Sequence, residues 1–392
     1  MYLKFFLPFL LLALLQVTAF YIYNGFSYIP SDKNQIFITI MYIFSIFAVI
    51  AYCLFNNKSK KIEQNDKRNK YIELLFLIIT IVLVLKPTFI MFSMGMEYGF
   101  DYVRQNFFSS DIIRAHAFGN MTLAIFTQFY VVPVLWFYII YLMGCNNKKT
   151  TFTFYFILFS LIAFNLSYAG RFYIYFALLI LYLKNLIEGR SILDFLRKNI
   201  ILILSLFTVS TLVVALRNNR QGLANESSDM LRLLEYHILQ PFFLAQKMDH
   251  NELIYDGYPF RVIIEGFFAP VLYFFEITFK DLPQGKYSRI FDSSTLYSVY
   301  SDSYYNAFAT FFPYIYIDFG YLSPLFSFII IIFFLMYSKI ILDNGLRTKY
   351  IAYIALTLYF SLFQSTLFSY GTISILILFP LLNYLFFRPK KN

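Results

Sequence analysis

Strongly apolar runs of about 18 residues or more recur along the whole chain, and each is long enough to cross a bilayer as a helix. Hydrophobic residues make up 59% of the sequence and charged residues only 14%, whereas soluble domains carry about 25% charged residues. In lipid, backbone polar groups must be paired within the segment, which favours helices. The sequence therefore predicts an all-α polytopic membrane protein with about ten transmembrane helices.

The apolar runs define the predicted spans. They cover residues 3–23, 36–55, 71–92, 118–143, 151–169, 172–187, 199–216, 320–338, 350–368 and 369–387. The first run resembles a signal peptide, but it continues to Tyr23 without a small-x-small cleavage site, so we expect a retained first span. The sequence shows no repeat and no low-complexity linker, so we predict one membrane domain over residues 1–392.

Basic loops set the predicted orientation. The segment 56–70, "NNKSKKIEQNDKRNK", is rich in Lys and Arg and should stay cytoplasmic by the positive-inside rule. Counting spans from it places both termini and the loops 144–150, 188–198 and 339–349 on the same side. These segments, with Lys184, hold more than half of the 32 Lys and Arg residues. We therefore predict cytoplasmic N and C termini.

Arg171 is the only charged residue between Thr153 and Leu183. Because the basic segments on both sides must lie in the cytoplasm, residues 151–187 must cross twice, as two short helices that turn at "SYAGR". Arg171 then lies at the outer end of that turn, where a glycine permits a tight backbone. Ser167, Tyr168 and Arg171 are expected to face outward or into a cavity.

The largest predicted external segment is 217–305. It begins with Arg217 and Arg220 in "LRNNRQG" and continues through the mostly apolar run 229–248, where Pro241 should end or kink any helix. The run 258–279 contains two glutamates, which favour an interfacial amphipathic helix over a further span. Residues 288–308 are rich in Ser and Tyr and are typical of a loop.

Familiar catalytic motifs are absent from the sequence. It contains no Walker A, HExxH, GxGxxG or GxSxG pattern. Its three histidines are scattered, and Cys53 and Cys145 are too few for a disulfide framework. We therefore predict no metal and no cofactor.

The chain resembles the oligosaccharide repeat-unit polymerases (Wzy-type O-antigen or capsule polymerases). The resemblance lies in "SYAGRFYIYFALLI", in "LRNNRQG" after the next span, in the long external segment, and in "YNAFATFFPYIYIDFGYLSPLFSFIIIIFFL". It covers most of the chain in layout, with short local motifs. The "DFG" at 318–320 is not the kinase motif, because the other kinase motifs are missing.

The resemblance implies a metal-independent glycosyltransferase in the bacterial inner membrane, with its active site facing the exterior. It would transfer a growing glycan from undecaprenyl pyrophosphate to the hydroxyl of a new lipid-linked repeat unit. Implied partners are this lipid-linked oligosaccharide as donor and acceptor, membrane lipid, and flippase and chain-length-regulator proteins. Nucleic acid is not an expected partner.

Two sets of residues are candidates for this chemistry. Arginines suit a pyrophosphate because the guanidinium is permanently charged and forms a planar fork. A base is needed to accept the proton of the acceptor hydroxyl. The predicted pyrophosphate- or glycan-binding residues are Arg171, Arg217, Arg220, Arg261 and Arg289, and the predicted bases are Glu265, His237 and Asp318.

Each candidate also has a structural explanation. Arg171 could be a topological anchor, and Arg217 with Arg220 could simply flank a span end. His237 could be a packed imidazole, Arg261 and Glu265 a surface ion pair, and Asp318 a helix cap. The tyrosines could form an ordinary interfacial belt.

Two other functions stay open. A lipid-linked glycan ligase also combines many spans with a large external loop. A polysaccharide flippase or other transporter would favour 12 or more spans with charges along a central path. A glycosyltransferase that uses lipid-phosphate sugars normally has acidic residues in its first external loop, whereas loop 24–35 offers only Asp32.

Overall fold

The structure is a computed structural model of the 392-residue chain. It describes residues 2–56, 70–109, 111–144, 148–170, 172–218, 226–253, 255, 259–261, 264, 296–305, 310–364 and 366–387. The packing divides into two compact units. Unit 1 comprises residues 1–60, 225–342 and 357–392, and unit 2 comprises residues 61–224 and 343–356. The single membrane domain stays a prediction.

The first half of the chain is mainly helical among its described residues. Its helices are α1 (Tyr2–Ile22), α2 (Asp32–Phe55), α3 (Lys70–Thr80), α4 (Lys86–Tyr98), α5 (Phe100–Ser109), α6 (Asp111–Phe118), α7 (Met121–Phe126), α8 (Val132–Leu142), α9 (Lys148–Ser167), α10 (Phe172–Ile187) and α11 (Ile192–Asn218).

The second half adds six helices and a short hairpin among its described residues. These are α12 (Glu226–Ile238), α13 (Gln240–Asp249), β1 (Leu296–Ser298), β2 (Ser303–Tyr305), α14 (Phe311–Phe319), α15 (Ser323–Tyr337), α16 (Asn344–Ser361) and α17 (Tyr370–Phe387). The predicted loop at 288–308 therefore contains a β-hairpin over part of its length.

Six helical stretches of the described chain are long and apolar enough to cross a membrane: Tyr2–Ile22, Asp32–Phe55, Lys70–Tyr98, Met121–Leu142, Lys148–Ser167 and Phe311–Ile340. Phe172–Ile187 and Tyr370–Tyr384 are shorter apolar helices. The prediction of a mainly helical chain with several stretches that could cross a membrane is confirmed at this level.

Unit 2 is held by aromatic packing between its long helices. Phe76 stacks on Tyr138 with ring centroids 3.8 Å apart, and Trp136 packs against Phe176 at 5.0 Å. The Thr153 hydroxyl donates to the Glu73 carboxylate at 2.5 Å. These contacts join α3, α8, α9 and α10, which lie side by side as the predicted spans require.

In unit 1, the last of these six stretches, Phe311–Ile340, is not one straight helix but a helical hairpin, because the chain reverses within it. Contacts with α2 establish the reversal: Phe312 packs on Tyr42, Tyr316 on Phe37, and Tyr321 on both Phe37 and Lys33. Further along the chain, Ser327 donates to the Met41 carbonyl, Phe328 packs on Phe47, and Ser338 lies 3.3 Å from the Tyr52 hydroxyl. Helix α14 therefore runs antiparallel to α2, and α15 runs parallel to it.

Gly320 makes this reversal possible. Its φ is 54° and its ψ is −130°, a combination that only glycine adopts readily. Across the turn, Phe319 stacks on Phe326 at 3.7 Å, and the Ser323 hydroxyl donates to the Ile315 carbonyl at 3.4 Å. Phe312, near the start of α14, lies level with Tyr42, about ten residues or 15 Å along α2. Helix α14 is thus a buried half-helix.

Helices α12 and α13 form one bent helix beside the ends of α1 and α2. The bend lies at Leu239, with Pro241 in the first turn of α13, so the predicted interruption by proline is confirmed. Proline lacks an N–H group, and the carbonyl four residues earlier loses its donor. That carbonyl belongs to His237, and the Gln16 side chain donates to it at 2.9 Å.

Candidate functional site

Gln16 joins three parts of unit 1 within the apolar helix α1. Its side chain is fully buried. The amide nitrogen donates to the carbonyls of His237 and Leu362 at 2.9 and 3.2 Å, and the amide oxygen accepts from the Tyr42 hydroxyl at 2.8 Å. A buried carbonyl without a hydrogen-bond donor costs free energy. Gln16 supplies the donor at the proline bend and at the end of α16, so both carbonyls can lie away from water.

Glu235 is the centre of a second buried polar cluster, which we call the Glu235 cluster (Tyr23, Glu235, Ser298 and Tyr305). The Glu235 side chain is 0% exposed. One carboxylate oxygen accepts from Tyr23 and from Ser298, and the other accepts from Tyr305 at 2.5 Å. Three hydroxyl donors, one after α1 and one on each strand of the hairpin, therefore compensate the burial of this carboxylate.

The tyrosines of the Glu235 cluster are fixed as hydrogen-bond donors. Burial raises the pKa of the Tyr23 and Tyr305 hydroxyls well above the ordinary value of 10.0, and the hydrogen bonds to Glu235 raise it further. Both phenols therefore keep their protons at neutral pH. All three hydroxyl groups of the cluster donate hydrogen bonds to the Glu235 carboxylate. This arrangement suits a positioning role for Glu235.

The hairpin lies against the loop that follows α1. Phe26 forms an antiparallel bridge with Ser298, Ser27 donates its N–H to the Tyr297 carbonyl at 2.9 Å, and Val299 donates to the Gly25 carbonyl at 2.7 Å. The first predicted external loop and the long predicted external segment thus pair with each other. This pairing agrees with the prediction that both lie on the same side of the membrane.

Asp249 ties the end of α13 to the start of α2. Its carboxylate accepts from Tyr28, from the Ser31 N–H at 3.0 Å and hydroxyl at 2.5 Å, and from the Asn34 amide at 2.7 Å. Burial by itself raises the pKa of Asp249, but these hydrogen bonds favour the ionised form and outweigh burial, so the pKa is lowered. The charge also lies at the N-terminus of α2, where an anion is stabilised.

The predicted turn at "SYAGR" is confirmed in unit 2, where α9 ends at Ser167 and α10 begins at Phe172. Asn165 organises it: its carbonyl accepts from the Gly170 N–H at 2.8 Å, and its side-chain oxygen accepts from the Tyr173 N–H at 3.0 Å. Ala169 has a positive φ of 54°. A Cβ on Gly170 would lie 2.7 Å from the Asn165 carbonyl oxygen, so the turn requires glycine there.

Ser167 and Tyr168 were expected to face outward or into a cavity, and the first of these alternatives is wrong. Ser167 is 0% exposed and Tyr168 is 8% exposed. Helix α5 covers Tyr168: Phe107 stacks on its ring with centroids 4.4 Å apart, and Arg104 donates to the Ala169 carbonyl at 3.2 Å. Residues 93–117 lie between two predicted spans and had no predicted role, so both the covering helix and Arg104 were missed.

Several predicted site residues lie outside the described residues. These are Arg171, Arg220, Glu265 and Arg289. Arg217 belongs to the last turn of α11, but its side chain is not among the described ones. Whether the three arginines Arg171, Arg217 and Arg220 meet therefore stays a prediction, as does the interfacial helix at 258–279.

The remaining candidates are all in unit 1. His237 lies at the end of α12, and its ring packs edge-on against Phe363 at 5.0 Å. Asp318 is 2% exposed in the last turn of α14, and Leu322 rather than Asp318 occupies the N-cap of α15. The explanation of Asp318 as a cap is therefore wrong. Arg261 is half-buried next to Phe260, which packs on Phe319.

Glu235 is the residue that sequence reasoning overlooked. Its signal was a carboxylate inside the apolar run 229–248, two positions before His237. Its partners lie 212, 63 and 70 positions away in the chain. No local pattern connects such distant residues, so the cluster required the tertiary structure.

No family model, no curated protein and no solved structure matches the chain. Within the described part of the chain, no group of three His, Cys, Asp or Glu residues is placed to hold a metal ion.

Proposed function

We propose that the protein polymerises lipid-linked oligosaccharide repeat units by glycosyl transfer on the outer face of the bacterial inner membrane. In this proposal the chain crosses the membrane about ten times, with both termini in the cytoplasm. The donor is a glycan on undecaprenyl pyrophosphate, and the acceptor is the hydroxyl of a new lipid-linked repeat unit. The reaction uses no metal.

One observation carries the proposal. The half-helix α14, the bent helix α12–α13 and the tyrosine-rich hairpin all belong to unit 1, and α2 and the loop before it connect them. This is the end of unit 1 that the basic loops predict to be external. Irregular backbone at membrane depth is tolerated where it is buried in protein or lines a cavity, and a lipid-linked glycan needs such a boundary between lipid and water.

The charge of each residue and its predicted external position determine the proposed roles. Arg171, Arg217 and Arg220 would bind the pyrophosphate, whose departure is assisted by permanent positive charge. Glu265 or His237 would accept the proton from the acceptor hydroxyl, with Asp318 as a further candidate base. Arg261 and Arg289 would contact the glycan or its phosphates. Glu235 would hold α12, and with it His237, in position.

The test is turnover by purified protein in lipid nanodiscs with undecaprenyl-pyrophosphate-linked repeat units. We expect a ladder of polymer. Arg171→Lys keeps the charge but loses the planar fork, so it should reduce the ladder sharply, and Arg171→Ala should do at least as much damage. If both variants gave the unmodified ladder at equal expression, Arg171 would be only an anchor.

The base is tested by separating binding from chemistry. Glu265→Gln or His237→Ala should slow turnover by about 10²–10⁴ while the lipid-linked substrate still binds, if the residue removed is the base. Full activity in both variants would remove both from candidacy. A variant that loses binding and turnover together would mark a substrate contact instead.

Two alternative activities have distinct signatures in the same assay. A ligase would transfer the glycan once to a different acceptor and produce no ladder. A flippase or transporter is favoured by one observation, since half-helices such as α14 are also typical of transporters. It would move the lipid-linked oligosaccharide between leaflets of the nanodisc or vesicle and leave it unpolymerised.

A further inference from the structure

The outward face of the β-hairpin carries a pair of tyrosines. Tyr297 and Tyr304 are directly opposite in the antiparallel register, and their ring centroids are 4.9 Å apart. Alternation along each strand sends Ser298 and Tyr305 inward to Glu235 and sends Tyr297 and Tyr304 outward. Tyr304 is 74% exposed.

A carboxylate of the hairpin lies beside this pair. The Tyr297 hydroxyl donates to the exposed Asp302 carboxylate at 2.8 Å. Tyr300, in the turn of the hairpin, is 61% exposed and packs edge-on against Tyr23 at 5.7 Å. The sequence 296–305, "LYSVYSDSYY", contains one acidic residue and no Lys or Arg.

We propose that Tyr297, Tyr304 and Asp302 form a binding surface for a pyranose ring of a neutral glycan. The C–H face of the sugar would stack on the exposed Tyr304 ring, and a sugar hydroxyl would donate to the Asp302 carboxylate. The identity of that glycan as the protein's own repeat unit rests on the proposed function.

Charge argues against an anionic lipid headgroup as the ligand. Binding to anionic lipid relies on Lys and Arg near the membrane surface, whereas this hairpin carries only the Asp302 charge. The negative charge of Asp302 would repel an anionic headgroup, but it does not repel a neutral, hydroxyl-rich ligand. The inward face of the hairpin is also held in place, because Ser298 and Tyr305 donate to the buried Glu235 carboxylate. A surface that is already ordered loses little conformational freedom when it binds a ligand.

The experiment measures glycan binding by purified protein in nanodiscs. The probe is the neutral repeat-unit oligosaccharide released from its lipid by mild acid, observed by saturation-transfer NMR and titrated for affinity. Tyr304→Ala should weaken binding by about 3- to 10-fold, as expected for one aromatic stack. Tyr304→Phe keeps the ring and should bind within about twofold of the unmodified protein.

Two further variants complete the test. Asp302→Asn should weaken binding, since a neutral acceptor is weaker than a carboxylate. Tyr102→Ala removes an exposed tyrosine from α5 and should leave the affinity unchanged. Equal affinity for Tyr304→Ala and the unmodified protein would overturn the proposal. A loss of binding shared equally by Tyr102→Ala would also overturn it, because the effect would not belong to the hairpin.

A spin label distinguishes a glycan-binding surface from an anchor that lies in the membrane interface. A nitroxide at Tyr304→Cys should be accessible to a water-soluble nickel relaxant and should lose that access when the oligosaccharide is added. Preferential access to oxygen from the lipid would identify an interfacial anchor and contradict the proposal. Binding that depends on Tyr304, without any polymer ladder, would support the glycan-binding surface and reject the proposed polymerase activity. A polymer ladder with unchanged binding in Tyr304→Ala would support the polymerase activity and reject the glycan-binding surface.

Discussion

The hydroxyl of Tyr305 lies 2.5 Å from a carboxylate oxygen of Glu235, a residue 70 positions earlier in the chain. Ser298 and Tyr23 donate to the other oxygen of the same carboxylate. A single buried side chain thus fastens the hairpin to α12 and to the end of α1. The stability of the hairpin should therefore depend on Glu235.

Replacement of Glu235 by Leu should release the hairpin. Three hydroxyls would lose their acceptor, and each buried polar group left unpaired costs about 1–3 kcal/mol. Hydrogen exchange followed by mass spectrometry should show faster exchange across residues 296–305. The control is Asp302→Asn, which alters an exposed carboxylate of the same hairpin and should change stability by less than about 0.5 kcal/mol. Unchanged exchange in Glu235→Leu would contradict the bracing role.

Gln16→Leu should destabilise unit 1 although it makes α1 more apolar. The carbonyls of His237 and Leu362 and the hydroxyl of Tyr42 would lose a shared partner, at a cost of about 1–3 kcal/mol. The measurement is the melting temperature in detergent, and Tyr42→Phe supplies the second arm of a double-mutant cycle. The two changes should be non-additive. Strict additivity would show that Gln16 and Tyr42 do not act together.

Gly170→Ala should distort the turn that carries Arg171. The added Cβ would meet the Asn165 carbonyl oxygen at 2.7 Å, and such crowding typically costs about 1–3 kcal/mol. Ala169→Gly is the matched control at the neighbouring position, and it should raise the melting temperature because it relieves a positive φ of 54°. A lower melting temperature for Gly170→Ala and a higher one for Ala169→Gly would support the observed turn. An unchanged melting temperature in both variants would count against it.

The Asp249 contact should weaken in acid. Its pKa is lowered on folding from an ordinary value of 3.8, so the ionised form stabilises the folded state above that value. The stabilisation is lost as the pH falls through the lower, folded-state pKa. The difference in melting temperature between the unmodified protein and Asp249→Asn should be constant near neutral pH and should shrink below pH 3.8. A difference that vanished already at pH 6 would point to another group.

The reversal at Gly320 has a direct topological test. Tyr321 is 63% exposed in the turn between α14 and α15. A cysteine there should react with an impermeant maleimide in spheroplasts, as should cysteines at Ser293 and Asp302, whereas one at Lys61 should not. In a single straight span over Phe311–Ile340, Tyr321 would lie within the membrane and stay unlabelled. Labelling at Lys61 instead of Ser293 would reverse the whole predicted orientation.

The amino-acid sequence by itself determined the membrane class and most of the helices. Hydrophobic length is a local property, so the runs at 3–23, 36–55 and 151–169 needed no tertiary information. Proline at 241 and glycine at 170 act through their own backbone restrictions, so the bend and the tight turn were also predictable. The stretch before span 8 was harder, because its apolar character does not reveal that the chain reverses at Gly320.

Only the tertiary structure decided which polar residues meet. Gln16 stands in α1, but its partners His237 and Leu362 are 221 and 346 positions away. Ser167 and Tyr168 were expected to face outward or into a cavity, and both are buried, Tyr168 by its contact with Phe107 of α5. Glu235 carried no local signal of its three donors. Burial and hydrogen-bond partnership depend on contacts between distant segments, whereas length, hydropathy and backbone preference belong to each segment alone.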